Sequence, residues 1–248
     1  MRWLGWIALA ASLAAAAVAS GIHEQSVRSR LLRADPDLVA SDPQLVAYAM
    51  DMGALTYSGA CSGCHGPALT GDRRSGVPDL TDSEWLYGTG RLSEIERIVL
   101  YGIRSGYSKG WNLASMPAFA RAKPYASYHV DPLKPGEVDD VTTFVLSLQN
   151  AASPSDAVER GKTVFLKNGL CFDCHGADAR GDPAIGAPDL TDAVWLYGNG
   201  SAESIHAAIA HGMAGSCPGN IDSLSFAEIR AVALYVHSKR SGGRAHDP

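Results

Sequence analysis

The chain has 248 residues, a formal net charge of −5 and five cysteines. That length suits one large or two small domains. A mildly acidic balance with no basic run argues against nucleic acid as a partner, and one cysteine left over from two paired sets argues against a disulfide scaffold.

Residues 1–22 open with Arg2 and an apolar stretch from Trp3 to Ala19. Ala17-Val18-Ala19 has the A-x-A form of a cleavage site, so the segment reads as a secretory signal peptide. It also approaches the ~17–25 residues that a membrane span needs, and Trp3 and Trp6 suit an interface. Arg28, Arg30 and Arg33 lie on the side to be translocated, against the positive-inside bias. Signal or anchor, either reading exports the rest of the chain. Residues 23–41 read as a polar linker.

Asp42-Pro43 then predicts a helix start, with an N-cap followed by Pro at the first helical position. Leu45, Val46, Ala49 and Met52 recur at helical spacing, and Gly53 and Tyr57 follow. Next comes Cys61-Ser62-Gly63-Cys64-His65, a C-x-x-C-H motif with the spacing for covalent c-type haem. The two thiols add across the haem vinyl groups and the adjacent His reaches the iron from one face. Downstream stand Pro78-Asp79-Leu80-Thr81-Asp82 and Trp85-Leu86-Tyr87-Gly88. Val138, Val141, Val145 and Leu148 predict a closing helix.

The small, polar Asn150–Pro154 segment marks a boundary, and the pattern then starts again. A helix from near Ser155 carries Gly161 and Phe165. Cys171-Phe172-Asp173-Cys174-His175 repeats the motif. Pro188-Asp189-Leu190-Thr191-Asp192 and Trp195-Leu196-Tyr197-Gly198 follow at the same offset, which is an internal duplication. A capping box from Ser225 to Glu228 opens the last helix, with Ile229, Val232, Ala233 and Val236 on one face. A tandem zinc ribbon would need further Cys or His ligands at suitable spacing, and these are missing. Two covalent haems are expected, in an all-α chain with units at 42–150 and 151–242 and a tail at 243–248.

A helix before the motif, irregular loops and a terminal helix resemble class I cytochrome c. The resemblance covers nearly everything from Asp42 to Ser238. It implies that the first and last helices of each unit cross closely, with Gly53 against Phe144 and Gly161 against Tyr235. It also implies that the Pro78 and Pro188 carbonyls accept from Nδ1–H of His65 and His175, fixing each imidazole. Ser115-Met116-Pro117 resembles the Met-Pro ligand loop of these cytochromes, which assigns Met116 to the His65 iron. Met50, Met52 and His129 are weaker candidates. In the second unit, Gly102 corresponds to Gly212, the loop carrying Lys109 to Trp111 is lacking, and Cys217-Pro218 stands where Met-Pro is expected. The sixth ligand of the His175 iron is therefore Cys217, Met213, His211 or none.

The paired motifs look like the dihaem c subunit of cbb3-type cytochrome oxidases. Two features depart from that family: a short N-terminal region and the Cys in place of the second Met. The resemblance implies an electron-transfer protein on the periplasmic side of a bacterial inner membrane, without substrate chemistry of its own. Donor and acceptor redox proteins, including oxidase subunits, are the expected partners. The alternative is a periplasmic redox enzyme, such as a dihaem thiosulfate dehydrogenase, which uses a Cys-ligated haem.

Overall fold

Asp42 caps the first core helix as its sequence predicts: its carboxylate accepts from the backbone N–H groups of Gln44 and Leu45 at 3.0 and 3.2 Å, ahead of Pro43 in the first turn. The computed structural model describes residues 2–121, 131–149 and 155–240. The Asn150–Pro154 boundary, the 243–248 tail and His129 lie outside the described residues. Among those described, the secondary structure is helical with only isolated bridges. The helices are α1 (Arg2–Arg33), α2 (Pro43–Ala60), α3 (Ser62–His65), α4 (Leu92–Tyr101) and α5 (Pro135–Gln149). After them come α6 (Asp156–Thr163), which runs into a π-helical turn at Val164–Asn168, then α7 (Phe172–His175), α8 (Ala202–His211) and α9 (Phe226–Ser238).

The expected polar linker at 23–41 is structured. Most of it is the end of α1 and a 3₁₀ turn at Pro36–Ser41, and Val27, Leu31 and Val39 are buried. Val27 and Leu31 stand one turn apart and join a cluster with Leu45, Ala49, Ile95 and Leu234. Among the described residues no helix is long and apolar enough to cross a membrane.

The helix pairing reverses the expected one. A Cβ at Gly53 would lie 2.3 Å from the Ala231 carbonyl oxygen and 2.7 Å from Cβ of Tyr235. A Cβ at Gly161 would lie 2.0 Å from the Asp140 oxygen and 2.7 Å from Cβ of Phe144. So α2 crosses α9, and α6 crosses α5. The aromatic rings follow: Tyr57 meets Tyr235 with centroids 5.6 Å apart, and Phe165 meets Phe144 at 5.3 Å. Each first helix packs against the terminal helix of the other repeat. The local requirement, a glycine facing an aromatic residue, is met equally by either partner. Only the path of the chain decides between them.

That path crosses itself twice. Ile103 and Cys217 exchange both backbone hydrogen bonds at 2.9 Å, and Met116 and Met213 do the same at 3.0 Å. Gly102 and Gly212 make room for the crossing. A Cβ at Gly102 would meet the Cys217 carbonyl oxygen at 2.3 Å, and one at Gly212 would meet the Met116 oxygen at 2.6 Å. Both have positive φ, +71°, which glycine adopts without strain. The first module therefore comprises α2, α3 and α4 closed by α9. The second comprises α6, α7 and α8 closed by α5. The contiguous blocks 42–150 and 151–242 are sequence repeats but not packing units.

Charged pairs hold each exchanged helix. Arg230 on α9 donates to Glu96 on α4 at 3.0 Å and to the carbonyls of Leu31 and Ala34 at 2.7 Å, with Arg230 buried and Glu96 largely so. Arg160 on α6 makes a two-pronged pair with Asp140 on α5, both bonds 2.7 Å.

Candidate functional site

Each C-x-x-C-H run forms one helical turn, α3 or α7, that presents its cysteines and histidine together. Nδ1 of His65 lies 3.3 Å from the Pro78 carbonyl oxygen, and Nδ1 of His175 lies 3.1 Å from that of Pro188. A carbonyl can only accept, so Nδ1 carries the proton and Nε2 keeps its lone pair for a metal. Burial pushes both histidines below their ordinary pKa, against the opposing pull of the Pro78 and Pro188 carbonyls. The neutral imidazole is the form a metal binds.

His175 opens on an apolar cavity that also touches Cys171, Cys174, Phe165 and Trp195. Met116 lines this cavity and packs against its core cluster. It therefore shares a cavity with His175, where the sequence expected it with His65. The reason is the crossing: Met116 is carried into the second module with α5. Met213 touches the same cavity, and in the paired crossings it takes the place of Ile103. His211 is exposed at the end of α8.

Cys217 makes the reciprocal move. Its thiol is pushed up to about 11, chiefly by burial, with further contributions from the nearby Cys61 and Cys64. It thus stands near the first motif, where the sequence expected it with the second. Around Cys61 the wall is apolar, with Tyr57, Leu69, Leu80 and Val99. The register that put Cys217 in place of Met holds, since Cys217-Pro218 faces Gly102 as Met116-Pro117 faces Gly212. Of the weaker candidates, Met52 packs in the core and Met50 sulfur accepts from Ser238 at 3.4 Å.

Both sites thus offer two thiols, one neutral imidazole and an apolar wall, with a sulfur-bearing residue brought in by the crossing. The indole N–H groups of Trp85 and Trp111 are buried without a partner among the described residues. These features fit haem c.

The model of the family described as cytochrome c matches residues 50–149 and again 158–239. The chain belongs to the cytochrome c family. Its cytochrome c modules carry covalently bound haem c. Among its curated relatives is the cbb3-type cytochrome c oxidase subunit CcoP of Rhodobacter capsulatus, 36% identical over 226 residues, which cover 88% of this chain and 71% of the relative. The subunit FixP of a Bradyrhizobium species is 37% identical over 82% of this cytochrome c and 66% of its own length. FixP of Rhizobium meliloti is 32% identical over 92% and 72%.

Sequence reasoning missed Arg104, Arg230 and the crossing of the two repeats. Arg230 could have been found as a lone charge inside the apolar run from Ile229 to Val232. Arg104 shows as a departure between the repeats, since Ala214 stands in its register.

Proposed function

We propose that the chain is a dihaem electron carrier on the periplasmic side of a bacterial inner membrane, passing electrons from a donor redox protein to a cbb3-type oxidase. One haem is held by Cys61, Cys64 and His65, with Cys217 as sixth ligand. The other is held by Cys171, Cys174 and His175, with Met116. Haem supplies reversible one-electron chemistry when bound. The protein residues supply the difference between the sites. Cys217 offers an anionic sulfur, which stabilises ferric iron, while the neutral Met116 thioether favours the ferrous state. Iron at that position works against the burial that raises the Cys217 thiol, because a coordinating thiol is deprotonated. Electrons then run downhill from the His65 site to the His175 site. The observation that carries this reading is the paired crossing, which delivers Cys217 to the first motif and Met116 to the second.

Mass spectrometry of the denatured protein should show two haem additions. EPR of the ferric form should show a low-spin thiolate signal that Cys217→Ser removes. A single addition, or a thiolate signal that survives Cys217→Ser, refutes the ligand set. Steady thiosulfate turnover lost with Cys217→Ser would instead make the protein an enzyme.

A further inference from the structure

Arg104 occupies the wall of the His175 cavity at the crossing between the modules. Its Nε donates to the Gly215 carbonyl at 2.5 Å, and Nη1 donates to the Tyr87 hydroxyl at 2.9 Å and the Ala114 carbonyl at 2.8 Å. Every one of these acceptors is neutral. Among the described residues Arg104 enters no ion pair. The residue is only partly exposed, so its positive charge has no acidic side-chain partner among the described residues and is not fully solvated.

Two further observations mark the position. Arg104 has φ +48°, a left-handed conformation that a long side chain adopts only when its surroundings hold it there. Its counterpart in the other repeat is Ala214, which is exposed. One module therefore receives a fixed cation at this position and the other does not.

We infer that Arg104 favours the reduced state of the His175 site by placing a fixed positive charge in its wall. A cation in a low-dielectric wall opposes the more positive oxidised state of a nearby metal, and so favours the reduced one. The Cys217 sulfur acts oppositely at the other site. Both asymmetries incline the same way, toward reduction at His175. The inference rests on the ligand set proposed above, and Arg104 is a positioning residue for charge, not a ligand.

The test is a potentiometric titration of the dihaem protein with optical spectra. Arg104→Gln should move the electron distribution away from the His175 haem by about tenfold, which is ~59 mV in a one-electron couple. Arg104→Lys, keeping the charge, should restore it. Arg104→His places charge and no charge in one folded protein, since histidine titrates between about pH 5 and 8. The His175 haem of that variant should show a higher potential on the acid side, in a step that the parent lacks. That step also decides the matter if Arg104→Gln fails to load both haems. An unchanged distribution in Arg104→Gln, a loss that Arg104→Lys does not restore, or no step in Arg104→His overturns the inference. The ligand reading fails separately, if Met116→Ala leaves the near-infrared band of His/Met ferric haem intact.

Discussion

Met116 and Met213 belong to different sequence repeats, yet they exchange both backbone hydrogen bonds at 3.0 Å. Ile103 and Cys217 form the matching pair at 2.9 Å. Between these crossings the chain trades closing helices, so that neither repeat completes its own module. Further backbone bonds repeat the symmetry: Gly88 donates to Pro183 at 3.0 Å and Gly198 donates to Arg73 at 3.1 Å.

An exchanged architecture should survive cleavage of the chain between the repeats. Residues 1–152 and 153–248, produced together as separate chains, should purify as a one-to-one complex with both haems attached. Two independent monomers on size exclusion, each with its own haem, would show that the exchange is dispensable.

The crossings at Gly53 and Gly161 leave no room for a methyl group. Gly53→Ala and Gly161→Ala should each destabilise the protein by about 1–3 kcal/mol through overpacking, more than the ~1 kcal/mol of helix propensity that alanine returns. Gly59 lies on the same helix as Gly53 with nothing near its would-be Cβ. Gly59→Ala should be neutral or mildly stabilising. Denaturant midpoints of the three variants decide whether helix contact or propensity dominates.

Arg230 should be the most sensitive charged residue of the fold. Arg230→Met leaves Glu96 without its buried partner and the Leu31 and Ala34 carbonyls without a donor, a loss of about 3–5 kcal/mol. A variant with Glu96→Gln as well should recover part of the loss. A midpoint within experimental error of the parent would remove the pair from the stability of the first module.

Asp192 gives a pH dependence of defined sign. Burial raises its pKa, as do the charges of Glu84, Asp189 and Asp82, while the Val194 backbone N–H opposes them. A carboxyl whose folded pKa is raised binds its proton more tightly in the native state, so its contribution is complete below the unfolded value of ~3.9 and is lost as pH rises through the folded one. Asp192→Asn keeps an oxygen to accept from Val194 at 2.9 Å. The variant should melt higher than the parent at pH 7, and the gain should vanish below about pH 4. A gain independent of pH would point to packing instead of charge.

Much of the local structure is legible in the sequence. Asp42, Ser155 and the Ser225–Glu228 box cap their helices as the residue types require. The Pro78 and Pro188 carbonyls meet their histidines. What the sequence could not disclose was partnership. Duplicated repeats have nearly interchangeable faces, so the signals that place Gly53 against an aromatic residue fit Phe144 as well as Tyr235. Choosing between them depends on the loops around Gly102 and Gly212, where backbone pairing leaves little trace in side-chain pattern. The ligand assignment inherited the same ambiguity: Met116 and Cys217 were recognised as ligand-bearing positions but assigned by chain order. Val27, Leu31 and Val39 escaped notice because a few apolar residues among charged ones look like a linker until α1 continues through them.

The exchange also imposes a timetable on the molecule's making. The first haem motif to be made is the last to be finished. Cys217 and α9 come late in the second repeat, so the first motif stays open until most of the chain is made. During that interval Cys61 and Cys64 remain within reach of haem attachment, and no competing sulfur from Cys217 is yet present. The second motif has no such wait, because α5 and Met116 arrive before it and can close over it as it folds.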